Sequence, residues 1–468
     1  MPEKFHIHTY PAPPRFRPVG KMGIVDWRED CSSCHNCVKR ACVYDFYRDE
    51  AETLHEDVGY LDYIYQCKGC LSCVQDCTKG ILTRVANPEY DRLGDEYFTP
   101  QIITTTWFQA DTGRIPVSGA GYGGQFSGPG FDSIWTDMSE IVRPTRDGIH
   151  GREYINTSVD VGRKYDHLVF EDGKLSSDPY PLLEVPIPVM FDVIPEIWDR
   201  GQVVPAVVRA ADKIGTFSVI RGKDIAAGIY AVQNNIVPLL DASVPDVDEV
   251  FTAARMVMVP DSKDIISVQA ALKAKNADQI VAVRISASPE SARRIKELAA
   301  RDIEVVHLVF DAHGRERVSS NPRHARDVLR EIHGALVKEG IRDQITIIAS
   351  GGIALAEHVV KAVICGADLV AIDIPLLIAL ECRLCHECAH DRLCPVELDM
   401  IDRDYAVNRI VNLIGAWHQQ LIEMLGAMGI REARRLRGET GRSMFFEDLE
   451  RDTFSRLFGE RKDQDGAH

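Results

Sequence analysis

Eight short runs rich in β-branched residues recur between about residues 181 and 380: VPIPVMFDV, TFSVIRG, NIVPLLD, ARMVMVP, QIVAVRIS, IEVVHLVFD, QITIIAS and ADLVAID. Helical stretches separate several of them, among them SPESARRIKELAA (Ser288–Ala300) and NPRHARDVLREIHGALVKEG (Asn321–Gly340). Ser288 and Asn321 are expected as N-caps, just ahead of Pro289 and Pro322. Eight strands alternating with helices over some two hundred residues predict a (β/α)8 TIM barrel of the α/β class. An open doubly wound sheet is the competing arrangement of the same pattern.

The cysteines carry the chemistry. Of 13 in the chain, all but Cys365 fall into three tight groups: Cys31, Cys34, Cys37, Cys42; Cys67, Cys70, Cys73, Cys77; and Cys382, Cys385, Cys388, Cys394. The N-terminus has no apolar h-region, so no secretory signal is expected. In that setting, spacings of two residues read as metal ligation instead of disulfides and point to a reducing cytoplasm.

CSSCHNCVKRAC and CKGCLSCVQDC each place three cysteines at steps of three, with a fourth shortly after. Thiolates in a tetrahedron suit iron, and in two-cluster ferredoxins the fourth ligand comes from the other run. Cys31, Cys34, Cys37 and Cys77 are therefore expected to hold one 4Fe–4S cluster, and Cys67, Cys70, Cys73 and Cys42 the other. Paired zinc knuckles are the alternative, but zinc has no use for the central cysteine of each triple. CRLCHECAHDRLCP predicts a third iron–sulfur cluster on Cys382, Cys385, Cys388 and Cys394, with His386 and His390 beside the ligands. Cys365 reads as a buried small hydrophobe.

Net charge is −16 and pI about 5.4, with no block of Lys and Arg. That excludes nucleic acid and anionic membrane as main partners. No run of about eighteen apolar residues exists, so no transmembrane helix is expected. Four regions result: a ferredoxin-like domain (1–95), an irregular connecting segment packed on the barrel (96–180), the barrel with its terminal cysteine group (181–400) and a helical tail (401–468). The connecting segment shows little periodicity. Its aromatics, Trp107, Phe108, Tyr122, Phe126, Phe131 and Trp135, argue that it packs on something.

ASGGIALAEHVVKAVICGADLVAID reads as strand, Gly-Gly turn and helix. Ser350, Gly351 and Gly352 could turn backbone N–H groups toward a phosphate at a helix N-terminus; a plain left-handed turn requiring glycine has equal claim. RPTRDGIHGREYINTSVDVGRK (Arg143–Lys164), this Gly-Gly segment and CPVEL resemble the FMN-binding synthase domain of glutamate synthases. The nearest form is the archaeal-type subunit, with a two-cluster ferredoxin domain ahead of the barrel.

The resemblance implies an FMN barrel that adds ammonia and two electrons to 2-oxoglutarate. It implies Arg284 in place of the family's strand-five Lys beside the flavin, and Ser350, Gly351 and Gly352 at its phosphate. It also implies a ferredoxin- or NAD(P)H-linked donor, other redox subunits in a hetero-oligomer, and ammonia from a separate glutaminase chain. Several segments depart from the family. The last cysteine group, a three-cysteine 3Fe–4S run in the family, here gains Cys385, so a 4Fe–4S cluster is expected in its place. The loops after strands one and six lack the family glycines, and AIDIP stands where a Gly-Thr completes the phosphate cradle. An electron-relay or scaffold subunit whose barrel has lost FMN is the alternative reading.

Overall fold

The computed structural model describes residues 5–16, 19–24, 34, 70–80, 84–115, 117–118, 121–122, 128–136, 154–164, 170–175, 180–226, 234–240, 249–390 and 393–459. Its centre is a closed barrel of eight parallel strands. These are β1 (Val189–Phe191), β2 (Ser218–Arg221), β3 (Ile236–Leu239), β4 (Met256–Pro260), β5 (Ile280–Ser286), β6 (Val305–Val309), β7 (Thr346–Ser350) and β8 (Leu369–Ile372). Each expected run supplies one strand. Closure rules out the open sheet, because β1 pairs in parallel with β2 on one side and with β8 on the other, Val189 facing Val370 and Phe191 facing Ile372.

The strands read as continuous apolar runs because both faces are covered. Alternate residues belong to two different cores. Met256, Met258, Ile280, Ala282, Val305, Ile348, Leu369 and Ala371 join the core that fills the barrel. Val257, Val259, Val281, Val283, Val306, Ile347 and Val370 pack outward under the helices. An antiparallel pair, Val159–Gly162 with Leu182–Val185, closes the N-terminal end; there Gly162 donates to Thr346 Oγ1 at the start of β7 (3.0 Å).

The principal helices are α1 (Pro100–Thr112), α2 (Val203–Ile214), α3 (Ile265–Lys275), α4 (Ser291–Ala299), α5 (Ala325–Lys338), α6 (Ala356–Ile364), α7 (Ile374–Ala379) and α8 (Arg403–Ala427). Two expected caps are corrected. The N-cap of α4 is Glu290, and that of α5 is His324, whose Nδ1 accepts from the Arg326 N–H (3.2 Å). Ser288 instead receives its contact through its backbone N–H, which donates to Ser291 Oγ (2.9 Å).

Two elements exceed expectation. The connecting segment contains a full helix, α1, with Trp107 buried within it; Phe131, further along, is fully buried. The tail is no surface appendage: α8 packs against α1, α2 and α6, and buries Arg409, Trp417 and His418. Arg409 donates to the Ala379 carbonyl (2.5 Å), the Ala12 carbonyl (2.8 Å) and the Asp111 carboxylate. Among the described residues, no helix is long and apolar enough to cross a membrane.

Candidate functional site

The chain leaves β8 through the short α7 and turns at once into the third cysteine group. Cys382, Cys385, Cys388 and Cys394 line a single pocket together with Arg383, Leu384, His386, Pro395, Val396 and Leu398. Its far wall, Ile197, Trp198 and Arg200, comes from the loop after β1, so the pocket sits beside the C-terminal mouth of the barrel. The loop can wrap its own centre because Glu381, Leu384, His386 and Glu397 are all left-handed, at φ 73°, 48°, 56° and 45°. Strain of that kind persists only where the surroundings enforce it.

The Leu384 N–H donates to the Cys382 thiol, whose pKa burial nevertheless pushes up to about 12. A thiolate there requires a cation. Four such groups around one pocket have the donor set of an iron–sulfur or zinc site.

Of the two N-terminal runs, Cys34, Cys70, Cys73 and Cys77 are described; Cys31, Cys37, Cys42 and Cys67 lie outside the described residues. Cys73 is buried in a short helix, Ser72–Gln75. The strands that flank this region, Met22–Ile24 and Arg84–Ala86, pair antiparallel and bring its two ends together. Half of the Arg143–Lys164 stretch, residues 143–153, likewise lies outside the described residues.

The barrel mouth follows from period two. One step above the apolar plug, the positions after Met190, Ala282, Val305, Ile348 and Ala371 are Asp192, Arg284, His307, Ser350 and Asp373. Arg284 donates to both carboxylate oxygens of Asp192, at 2.6 and 2.9 Å, and to His307 Nδ1 at 3.0 Å. Burial raises the Asp192 carboxyl, but the Arg284 charge outweighs it and holds the group well below the carboxylate range. His307 is pushed down to about 3 by burial and by Arg284, so it is neutral. Its Nε2–H is buried without a hydrogen-bond partner, 3.8 Å from Asp192 Oδ2, and Ser350 Oγ is likewise buried without one. Asp373 is raised to about 6 by burial and the neighbouring Asp192 charge. Asp192 and His307 escaped the sequence reading, although counting alternate residues up each strand would have placed both inward.

The Gly-Gly turn is packed tightly against a neighbouring loop. Gly351 and Gly352 have φ 97° and 72°, and a Cβ on Gly351 would stand 2.3 Å from the Asp311 carbonyl oxygen. One on Gly352 would stand 2.6 Å from Gly314 Cα. The glycines serve a close approach of this turn to the loop after β6. The Gly352 N–H already donates to the Ala312 carbonyl (3.2 Å), and the Gly352 carbonyl accepts from Tyr97 Oη (2.7 Å). Beyond β8, Asp373 caps α7 with its own carboxylate, accepting from the Ile374 N–H (2.6 Å), and Pro375 offers no donor. The side of the mouth bearing Arg284, His307 and Ser350 has orphaned polar atoms that suit a bound group. The side meant for a flavin phosphate does not fit one.

Asp132, Glu357 and His358 also bring ligand atoms within 4.8 Å of one another. His358 Nδ1 accepts from the Ala354 N–H (3.1 Å), which leaves the proton on Nε2, directed at Asp132 Oδ1 (2.8 Å). That tautomer makes a hydrogen bond and no metal ligand.

The region so built overlaps a known one. Residues 325–431, from α5 through β7, β8 and the cysteine loop into α8, match the family model described as a conserved region in glutamate synthase. The chain is 25% identical to an archaeal-type glutamate synthase [NADPH] of Dehalococcoides mccartyi, covering 89% of this chain and 93% of that one. It is 24% identical to the archaeal glutamate synthase [NADPH] of Archaeoglobus fulgidus, over 96% and 97%. The likeness to glutamate synthases thus extends over nearly the whole length of these relatives. A flavocytochrome b2 variant with benzoylformate covers 72% of the chain at 13% identity and a TM-score of 0.42, too distant a likeness to bear on the site.

Proposed function

We propose that this chain is an iron–sulfur oxidoreductase subunit of glutamate synthase type, which passes electrons through the 382–394 loop to the C-terminal mouth of its barrel. The observation that carries the reading is the convergence of Cys382, Cys385, Cys388 and Cys394 on one pocket between the loops after β1 and β8. A 4Fe–4S cluster bound there would supply one-electron transfer. The chain's part is to hold it: four thiolates ligate, the Leu384 N–H donates to sulfur, and Ile197, Trp198 and Leu398 wall it. On the same reading Cys31, Cys34, Cys37 and Cys77 hold one N-terminal 4Fe–4S cluster, and Cys67, Cys70, Cys73 and Cys42 the second.

Carried over from the relatives, the overall reaction is the reductive formation of glutamate from 2-oxoglutarate and ammonia. An NAD(P)H-linked donor and a separate glutaminase chain are its partners in a hetero-oligomer. FMN is the group that the family resemblance implies for the mouth. The unpartnered His307 Nε2–H and Ser350 Oγ support a bound group there, and Arg284 is its nearest cation. A second reading, an electron relay without FMN, is favoured by the pairing of Arg284 with Asp192 and by the misfit of the phosphate side.

Iron, acid-labile sulfide and acid-released flavin in the anaerobically purified chain test the proposal. About twelve irons per chain, for three four-iron clusters, is the expected result. Zinc in place of iron would overturn it. Twelve irons without flavin would select the relay.

A further inference from the structure

We infer that the barrel mouth has no phosphate grip, and that the group it takes is held without a phosphoryl anchor. The inference deepens the reading above and rests on it for the presence of a ligand in the mouth. A phosphate at such a position needs convergent N–H donors and a cation, with no competing anion. At this turn the Gly352 donor, the nearest cation and the space free of anions are each taken up by the chain itself.

The Gly352 N–H is bonded to the Ala312 carbonyl, and the turn rests on the loop after β6 so closely that a methyl group would not fit between them. That loop is closed in turn, because the Asp311 carboxylate accepts from the His313 and Arg315 N–H groups at 3.0 and 2.7 Å. Tyr97, from the connecting segment, covers the outer side: His324 Nε2 donates to its hydroxyl (3.3 Å), which donates to the Gly352 carbonyl. At the end of β8 the Asp373 carboxylate occupies the cap of α7, an anion where the phosphate would lie. The guanidinium beside this cluster, Arg284, is spent on Asp192 through two hydrogen bonds, and Arg221, at the end of β2, on Asp199 and the Ile194 carbonyl. What the mouth still offers is neutral: an imidazole N–H at His307 and a hydroxyl at Ser350, both unpartnered. Those groups suit the carbonyl or ring nitrogen of an uncharged heterocycle or a small polar substrate.

The test compares FMN with riboflavin, which carries the same ring and ribityl chain without the phosphate, on the full-length chain stripped of flavin. Binding is read by fluorescence quenching under anaerobic conditions. A working grip of two or more charge-assisted N–H bonds would favour FMN on the order of 100-fold. The expected result is FMN no tighter than riboflavin. A preference for FMN near 100-fold would overturn the inference while supporting a flavin in the barrel. Should neither bind, the flavin part of the proposed function fails and the inference falls with it. The variant Asp373→Asn keeps the cap and removes the charge; it is expected to raise the FMN-to-riboflavin ratio severalfold. An unchanged ratio in a variant that is at least as thermally stable as the parent would show that Asp373 does not stand in the phosphate's place.

Discussion

Asp373 is held in a conformation that its own ionisation opposes. Burial and the adjacent Asp192 charge raise its pKa to about 6, against about 3.9 in an unfolded chain. A carboxyl raised on folding binds its proton more tightly in the native state. Its contribution is therefore fully present below pH 4 and is lost as pH rises through 6. Above that the ionised group costs roughly 3 kcal/mol. Asp373→Asn should accordingly raise Tm at pH 8 and lose that advantage at pH 4.5; an equal gain at both values would show that charge is not the cause. At the cysteine loop, Cys385→Ser should convert the proposed third cluster toward a 3Fe form, seen as a new electron paramagnetic resonance signal, with the signals of the proposed N-terminal clusters unchanged. No new signal would remove Cys385 from the ligand set. Single residues were legible where their chemistry is rare in sequence: cysteines at steps of three, or an Arg in an apolar strand. Asp192 and His307 were not, because their meaning depends on Arg284, which lies 92 and 23 residues away in sequence.

At the scale of elements, the Gly-Gly turn shows how one motif supports two readings. Gly340 and Gly352 have nearly the same φ, 71° and 72°, but a Cβ at Gly340 meets nothing within 4 Å. Gly340→Ala should cost only the left-handed penalty, about 1 kcal/mol. Gly352→Ala must in addition displace Gly314 and should cost several times as much in chemical denaturation. Equal losses would mean that the turn is not packed as described. The eight strands were readable because two-sided burial writes long apolar runs into sequence. Helix α1 was hidden: Ile102, Ile103, Thr104, Thr105 and Thr106 read as extended chain by propensity, and burial against α8 overrides it. The signals that remained were Thr99-Pro100 at its start and Gly113, at φ 66°, beyond its end. The displaced caps of α4 and α5 have a simpler cause. Pro289 and Pro322 each open a turn ahead of the helix proper, and the first hydrogen-bonded turn begins two to three residues later.

Across the whole molecule, both ends of the N-terminal cysteine region are tied to the third cysteine loop. On the entering side, Arg15 donates through its backbone N–H and Nε to Glu381 (both 2.7 Å), and through Nη2 to the Val396 carbonyl (2.8 Å). On the leaving side, the Gly94 N–H donates to the Arg383 carbonyl (3.0 Å). These contacts bracket Cys382 and Cys394 and make the strained φ of Glu381 a property of the assembled chain. Nothing in the sequence joins Arg15 to Glu381, 366 residues apart; only the folded barrel does. The Glu381 side chain is 7% exposed and that of Arg15 21%, so removing one partner strands a buried charge at about 3–5 kcal/mol. Arg15→Leu should therefore speed iron loss from the third cluster to a chelator. The double variant Arg15→Leu, Glu381→Gln keeps the acceptor for the Arg15 and Phe16 N–H groups without its charge, and should recover part of that loss. The coupling is then non-additive, as expected for residues in one network. Additive effects in the two single variants and the double would separate the N-terminal segment from the cysteine loop energetically, and with it the physical continuity that an electron path from residues 31–77 to the barrel mouth requires.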